Sequence, residues 1–201
     1  MPVRAVVFDI GGVLEDAPPT GVAERWEAAL GLRPGELNER LGGVWEVGAI
    51  GAISEGEVHR SIGRLLGLDE AQVSAFVQDI WTEYLGTLNA ELAGYFSSLR
   101  PRYRTAMLSN SFVGAREREQ ERYGFGDITD LIVYSHEVGM SKPDPSIYQL
   151  TCDRLGVRPD QVVFLDDRAD FVEAALEAGI TAILFQDNEQ AIADIEARLN
   201  A

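Results

Sequence analysis

The chain has 201 residues, 46% hydrophobic and 25% charged, the composition of an ordinary soluble globular protein with ample material for a core. Its formal charge of -16 argues against nucleic acid or an anionic membrane as partner, and no apolar run approaches the roughly 20 residues of a membrane span. The N-terminus leads directly into a strand-like segment, so no signal peptide is expected, and the lone Cys152 excludes an internal disulfide and fits a reducing cytoplasm.

In chain order, Val3–Phe8 is a short β-branched run closed by Asp9 and the pair Gly11-Gly12. From Thr20 to about Leu85 the apolar residues recur at helical spacing, which predicts helices over Thr20–Leu30, Pro34–Leu41, Ser54–Leu66 and Asp69–Tyr84. Ser54 with Glu57, and Asp69 ahead of Gln72, read as N-cap signals. Trp26, Trp45 and Trp81 are expected to pack these helices together. A helix over Asn89–Leu99 precedes a strand, Arg104–Leu108, that ends in Ser109-Asn110. Val113–Tyr123 reads as a charged helix with its glutamates and arginines on solvated faces. Leu131–Tyr134 is a strand, Pro145–Leu155 a helix that places Cys152 in the core, and Gln161–Leu165 a strand ending in Asp166-Asp167. A helix over Arg168–Ala178, stopped by Gly179, a strand over Ile180–Phe185 and a helix over Asn188–Leu199 complete the pattern.

Near-continuous apolar strands alternating with helices mean an α/β fold, a parallel sheet covered on both faces. Ligands of such sheets bind at the carboxyl ends of the strands. The residues expected there are Asp9, Ser109, Asn110, Asp166 and Asp167. One further residue stands apart. Lys142, in Gly139-Met140-Ser141-Lys142-Pro143-Asp144-Pro145, is the only lysine beside sixteen arginines. A chain that otherwise uses the wide, planar arginine retains lysine where a compact point charge must enter a crowded anionic centre. His59 and His136 lack metal-ligand partners at suitable spacing and are read as structural.

An Asp after the first strand, a Ser after the second, a Lys in Ser-Lys-Pro and an Asp pair after the fourth are specific when found together in this order. The motifs Phe8-Asp9-Ile10-Gly11-Gly12-Val13-Leu14, Leu108-Ser109-Asn110, Lys142-Pro143-Asp144-Pro145 and Phe164-Leu165-Asp166-Asp167 resemble those of the haloacid dehalogenase superfamily of phosphohydrolases. From Ser135 to Phe185 the chain is most similar to the phosphatase domain of soluble epoxide hydrolases and to the glucose-1-phosphate phosphatase branch. The resemblance implies a Rossmann-like core of residues 1–17 and 87–201 with an inserted helical cap of residues 18–86. It implies a Mg²⁺-dependent phosphatase acting on a small phosphate ester, expected to be a sugar phosphate.

By the family pattern Asp9 is the nucleophile, and Mg²⁺ is held by Asp9, the Gly11 carbonyl and Asp167, with Asp166 behind. Lys142, Ser109 and the Asn110 N–H would meet the phosphoryl oxygens. These assignments agree with elementary chemistry: a carboxylate that attacks phosphorus splits hydrolysis into two easier steps, and two anions approach only where cations offset their charge. Whether the chain is a monomer or a homodimer stays open.

Two positions depart from the family pattern. Gly11 stands where a second Asp would serve as general acid, a loss of roughly 10²–10⁴-fold in rate, for which Glu15 or Asp16 would be the substitutes. Phe171 stands where an Asp or Asn would orient the metal's surroundings, with Asp170 one position early. Two alternatives follow: a 2-haloacid dehalogenase that needs no metal, or a non-catalytic binding or regulatory domain on the same scaffold.

Overall fold

The computed structural model describes residues 2–200. Its elements in order are β1 (Ala5–Phe8), β2 (Glu15–Asp16), α1 (Val22–Leu30), α2 (Glu36–Ala49), α3 (Glu55–Leu66), α4 (Glu70–Leu85), β3 (Thr87–Leu88), α5 (Ala90–Ser98) and β4 (Arg104–Ser109). There follow α6 (Ala115–Tyr123), α7 (Phe125–Ile128), β5 (Leu131–Tyr134), α8 (Ser135–Val138), α9 (Pro145–Leu155), β6 (Val162–Asp166), α10 (Ala169–Glu177), β7 (Thr181–Leu184) and α11 (Asn188–Leu199). The five-stranded sheet has the order β5-β4-β1-β6-β7, and every pairing is parallel. The expected α/β architecture is the one observed.

Alternate side chains of β1 enter opposite layers, as the two-residue period of a strand requires. Val6 and Phe8 pack with Phe96 of α5 and Ile195 of α11 on one face. Ala5 and Val7 pack with Ile147, Tyr148 and Cys152 of α9 on the other. Because β1 is central, Asp9 leaves the sheet between β4 and β6, and its backbone N–H donates to the Leu165 carbonyl at 2.9 Å.

Helices α1 to α4 gather around their own apolar cluster, including Leu37, Leu41, Ile62 and Phe76. Both expected N-caps form complete capping boxes, Ser54 with Glu57 and Asp69 with Gln72. The helix expected to end at Leu41 instead runs on through Gly42-Gly43 to Ala49. Its buried residues Leu37, Leu41, Val44 and Gly48 follow one helical stripe, and their burial outweighs the roughly 1 kcal/mol that each glycine sacrifices relative to Ala. Gly48 is required by close approach, since a Cβ there would lie 2.2 Å from the Phe112 ring. The end of α2 is docked on the core, where the Ser135 hydroxyl donates to the Ala49 carbonyl at 2.7 Å.

The antiparallel ribbon of β2 and β3, and the short α7 and α8, were not anticipated by the hydrophobic pattern. A second correction concerns α6: Glu119, expected on a solvated face, is fully buried and accepts from the Tyr134 hydroxyl. No helix among the described residues is long and apolar enough to cross a membrane.

Candidate active site

The turn after β1, the end of β4, the loop before α9 and the end of β6 converge on one point. Lys142 lies there almost without solvent exposure, at 2%. Its Nζ is 2.8 Å from Asp9 Oδ1 and 2.6 Å from Asp166 Oδ2. The rings of Phe171 and Phe164 flank the ammonium at 5.0 and 5.5 Å from their centroids, in the range of a cation–π contact. A guanidinium fork would not fit a slot closed on two sides by rings and on two by carboxylates.

The loop that carries Lys142 is fixed by Asn110. The Asn110 side chain donates to the Lys142 carbonyl and accepts from the Lys142 N–H, both at 2.8 Å. Sequence reasoning assigned Asn110 only a backbone N–H; this two-way clamp on the lysine loop was missed, because it joins residues 32 positions apart. Ser109 ends β4 and is buried beside Asn110.

Asp166 is fully buried and accepts from the Arg168 N–H at 2.9 Å as well as from Lys142. Asp167 is exposed, and its carboxyl is pushed up by burial of its inner part and by the Asp166 charge. Burial raises Asp9 to about 7, with Lys142 opposing the rise and Asp166 adding to it. Gly12 is needed for this geometry. Its φ is +76°, and a Cβ there would fall 2.2 Å from Asp167 Oδ2. At Gly11, by contrast, an added Cβ would meet nothing within 4 Å.

Asp9, Asp166 and Asp167 each present an oxygen within 4.8 Å of the others. Three carboxylates against a single lysine leave excess negative charge, and hard oxygen donors of this kind suit Mg²⁺. The donor set therefore fits the expected metal. Asp170 does not join it: its carboxylate turns outward to Arg168, at 3.1 and 2.7 Å. Phe171, the other departure, forms part of the wall around Lys142.

Beside the site lies Glu15, one of the two residues expected as substitutes for the absent acid. Glu15 is buried, and burial followed by the Glu119 and Asp9 charges raises it to about 9. Burial likewise raises Glu119 to about 7, against the hydrogen bond from Tyr134. Asp16, by contrast, is exposed in the β2–β3 ribbon. Ser111 accepts or shares a proton with His136 Nδ1 at 2.7 Å, which gives that histidine a structural partner. Beyond Asn110 and Ser111 a cavity of about 420 Å³ opens between the loop after β4 and helices α1 to α4.

Residues 3–179 match the family described as haloacid dehalogenase-like hydrolase. The chain belongs to this family. Among its relatives, Phosphatase MT3486 of Mycobacterium tuberculosis is 30% identical over 94% of this chain and 90% of that protein. Bifunctional epoxide hydrolase 2 of Sus scrofa is 28% identical over 98% of this chain but only 39% of its own length. The chain thus spans only part, 19% to 39%, of the length of several relatives that it matches. The HAD family enzyme bt-2542 of Bacteroides thetaiotaomicron, solved in complex with magnesium and inorganic phosphate, shares the fold. It superposes with a TM-score of 0.80 at 22% identity, over 94% of this chain and 98% of that one.

Proposed function

We propose that the protein is a Mg²⁺-dependent phosphatase that hydrolyses a small phosphorylated metabolite through an aspartyl phosphate at Asp9. The observation that carries this reading is the bridge of Lys142 between Asp9 and Asp166, at 2.8 and 2.6 Å, beside the exposed carboxylate of Asp167. Such a centre repels a simple anion unless a cation completes it, and it then suits a phosphoryl group in transit.

Asp9, Asp167 and the Gly11 carbonyl would hold the Mg²⁺, with Asp166 behind them. When bound, the ion offsets the charge between nucleophile and phosphate. An Asp9 oxygen forms a bond to phosphorus as the ester P–O bond breaks, and the leaving oxygen keeps the electron pair and takes its proton from water. Water then attacks the same phosphorus, which frees phosphate and restores the Asp9 carboxylate. Lys142, Ser109 and the Asn110 N–H would hold the phosphoryl oxygens through both steps. Residues 18–86, as a cap, would choose the organic part of the substrate, for which a sugar phosphate is the class first expected. The lone Cys152 is in keeping with a reducing cytoplasm. The named relative supports the reaction class, since MT3486 is a phosphatase.

The test is phosphate release from p-nitrophenyl phosphate with Mg²⁺ and with EDTA, beside Asp9→Asn. Release that needs Mg²⁺ and disappears in the variant is expected. Halide release from a 2-haloacid in EDTA would instead identify a dehalogenase. Absence of any turnover would leave a binding domain.

A further inference from the structure

We propose that the organic part of the substrate is apolar, an aromatic or aliphatic alcohol esterified to phosphate, and that it occupies the cavity between α1–α4 and the loop after β4. This inference rests on the phosphatase reading and narrows it.

Position is the first argument. Asn110 and Ser111 form part of the cavity wall, and the Asn110 side chain is the clamp on the Lys142 loop. Asp9, Lys142 and Asp167 do not themselves line the cavity, so it adjoins the phosphoryl site through Asn110, on the side where the organic part of a substrate would extend. A volume of about 420 Å³ is on the scale of a small-molecule site.

The second argument is the wall itself. Trp45, Phe76, Trp81 and Phe112 line the cavity together with aliphatic side chains such as Leu37 and Ile62. Trp45 and Trp81 both pack on Phe112, at 5.5 and 6.4 Å between ring centroids. Most polar groups on the wall are already committed, the exception being His59 Nε2, buried there without a hydrogen-bond partner. Glu55 is held by Arg118 at 2.6 Å, Glu83 by Thr20, and Ser111 by His136 at 2.7 Å. The Tyr84 hydroxyl is bound to Glu119. A sugar would bring several hydroxyls into this space. Each one left without a partner would weaken binding roughly 5- to 150-fold, whereas each buried methylene of an apolar group would strengthen it about fourfold.

The experiment titrates the protein, in Mg²⁺, with methyl, butyl, hexyl and benzyl phosphonate and with glucose 1-phosphate. Calorimetry reads affinity, and fluorescence of the lining tryptophans reports occupancy. Affinity is expected to rise about fourfold per methylene from methyl to hexyl, with glucose 1-phosphate no tighter than methyl phosphonate. Ala49→Leu narrows the cavity from a lining position; it should abolish the chain-length gradient and leave methyl phosphonate binding unchanged. A flat series, or glucose 1-phosphate binding more tightly than hexyl phosphonate, would overturn the proposal. If p-nitrophenyl phosphate is turned over while the series is flat, only this inference fails. If the gradient appears but no ester is hydrolysed, the cavity assignment stands and the phosphatase reading fails.

Discussion

Two pairs of buried carboxylates lie at this end of the sheet, and they are accommodated by opposite means. Asp9 and Asp166 share the Nζ of Lys142. Glu15 and Glu119 have no ion pair among the described residues, and each has one carboxyl oxygen, Oε1, without a hydrogen-bond partner. Their compensation is a proton, retained up to about 9 on Glu15 and about 7 on Glu119. At Asp9, itself raised to about 7, Lys142 opposes the rise and offers an ammonium to an incoming anion, whereas a proton retained on Glu15 suits the second pair to a core. The difference separates a reactive centre from a structural one, although both are acidic and inaccessible.

The sharpest way to break the contrast is to remove the lysine. Lys142→Met should abolish phosphate release. It should also destabilise the protein by about 3–5 kcal/mol at neutral pH, because two carboxylates remain buried without their partner. Denaturant unfolding would show this loss, and it should diminish on acidification, when the carboxylates protonate. Stability unchanged at pH 7 would mean that the ion pair does not hold the site together.

The next effect concerns the leaving group. With Gly11 in place of an acid, turnover should depend steeply on leaving-group pKa across a series of phenyl and alkyl phosphates. Because a Cβ at Gly11 would meet nothing within 4 Å, Gly11→Asp is sterically admissible. It should flatten the dependence by raising the rates of the poorest leaving groups, by up to roughly 10²–10⁴-fold. A flat profile in the unmodified protein would show that another residue already donates the proton.

A further effect tests the other carboxylate pair. Unfolded, Glu15 loses its proton near 4.5; folded, it keeps it to about 9. Between these values the folded state binds the extra proton, so stability is full below about 4.5 and falls as pH rises. The decline reaches at most about 1.4 kcal/mol per pH unit. Glu15→Gln should flatten the stability profile between pH 5 and 9 and make the protein more stable at pH 8. A profile identical to that of the unmodified chain would place the titration elsewhere.

The strand ends were legible because buried parallel strands leave a plain trace: Val6-Val7-Phe8 and Val162–Leu165 are unbroken apolar runs that stop at Asp9 and Asp166. The lysine was legible because it stands alone among arginines. What escaped depends on contacts between distant segments. The continuation of α2 through Gly42-Gly43 is driven by burial against other helices, and the fit of Gly48 on Phe112 is invisible locally. Glu119 sits in the run Arg116-Glu117-Arg118-Glu119, and only its position four residues from the buried Ala115 marks its inward face. At Asp170 the sequence left open which way the carboxylate points; its own neighbour Arg168 draws it outward. The walls of the cavity come from helices whose tryptophans were expected only to pack. Trp26 does so, on Phe76, while Trp45 and Trp81 also face open space.

The most direct measurement asks whether Asp9 becomes phosphorylated. The protein is mixed with p-nitrophenyl phosphate and Mg²⁺, quenched within one turnover and reduced with borohydride, which converts an aspartyl phosphate to homoserine. Peptide mass spectrometry should find homoserine at position 9 and unaltered Asp at 166 and 167. Phosphate release with Asp9 unchanged would contradict the account and assign the attack to water.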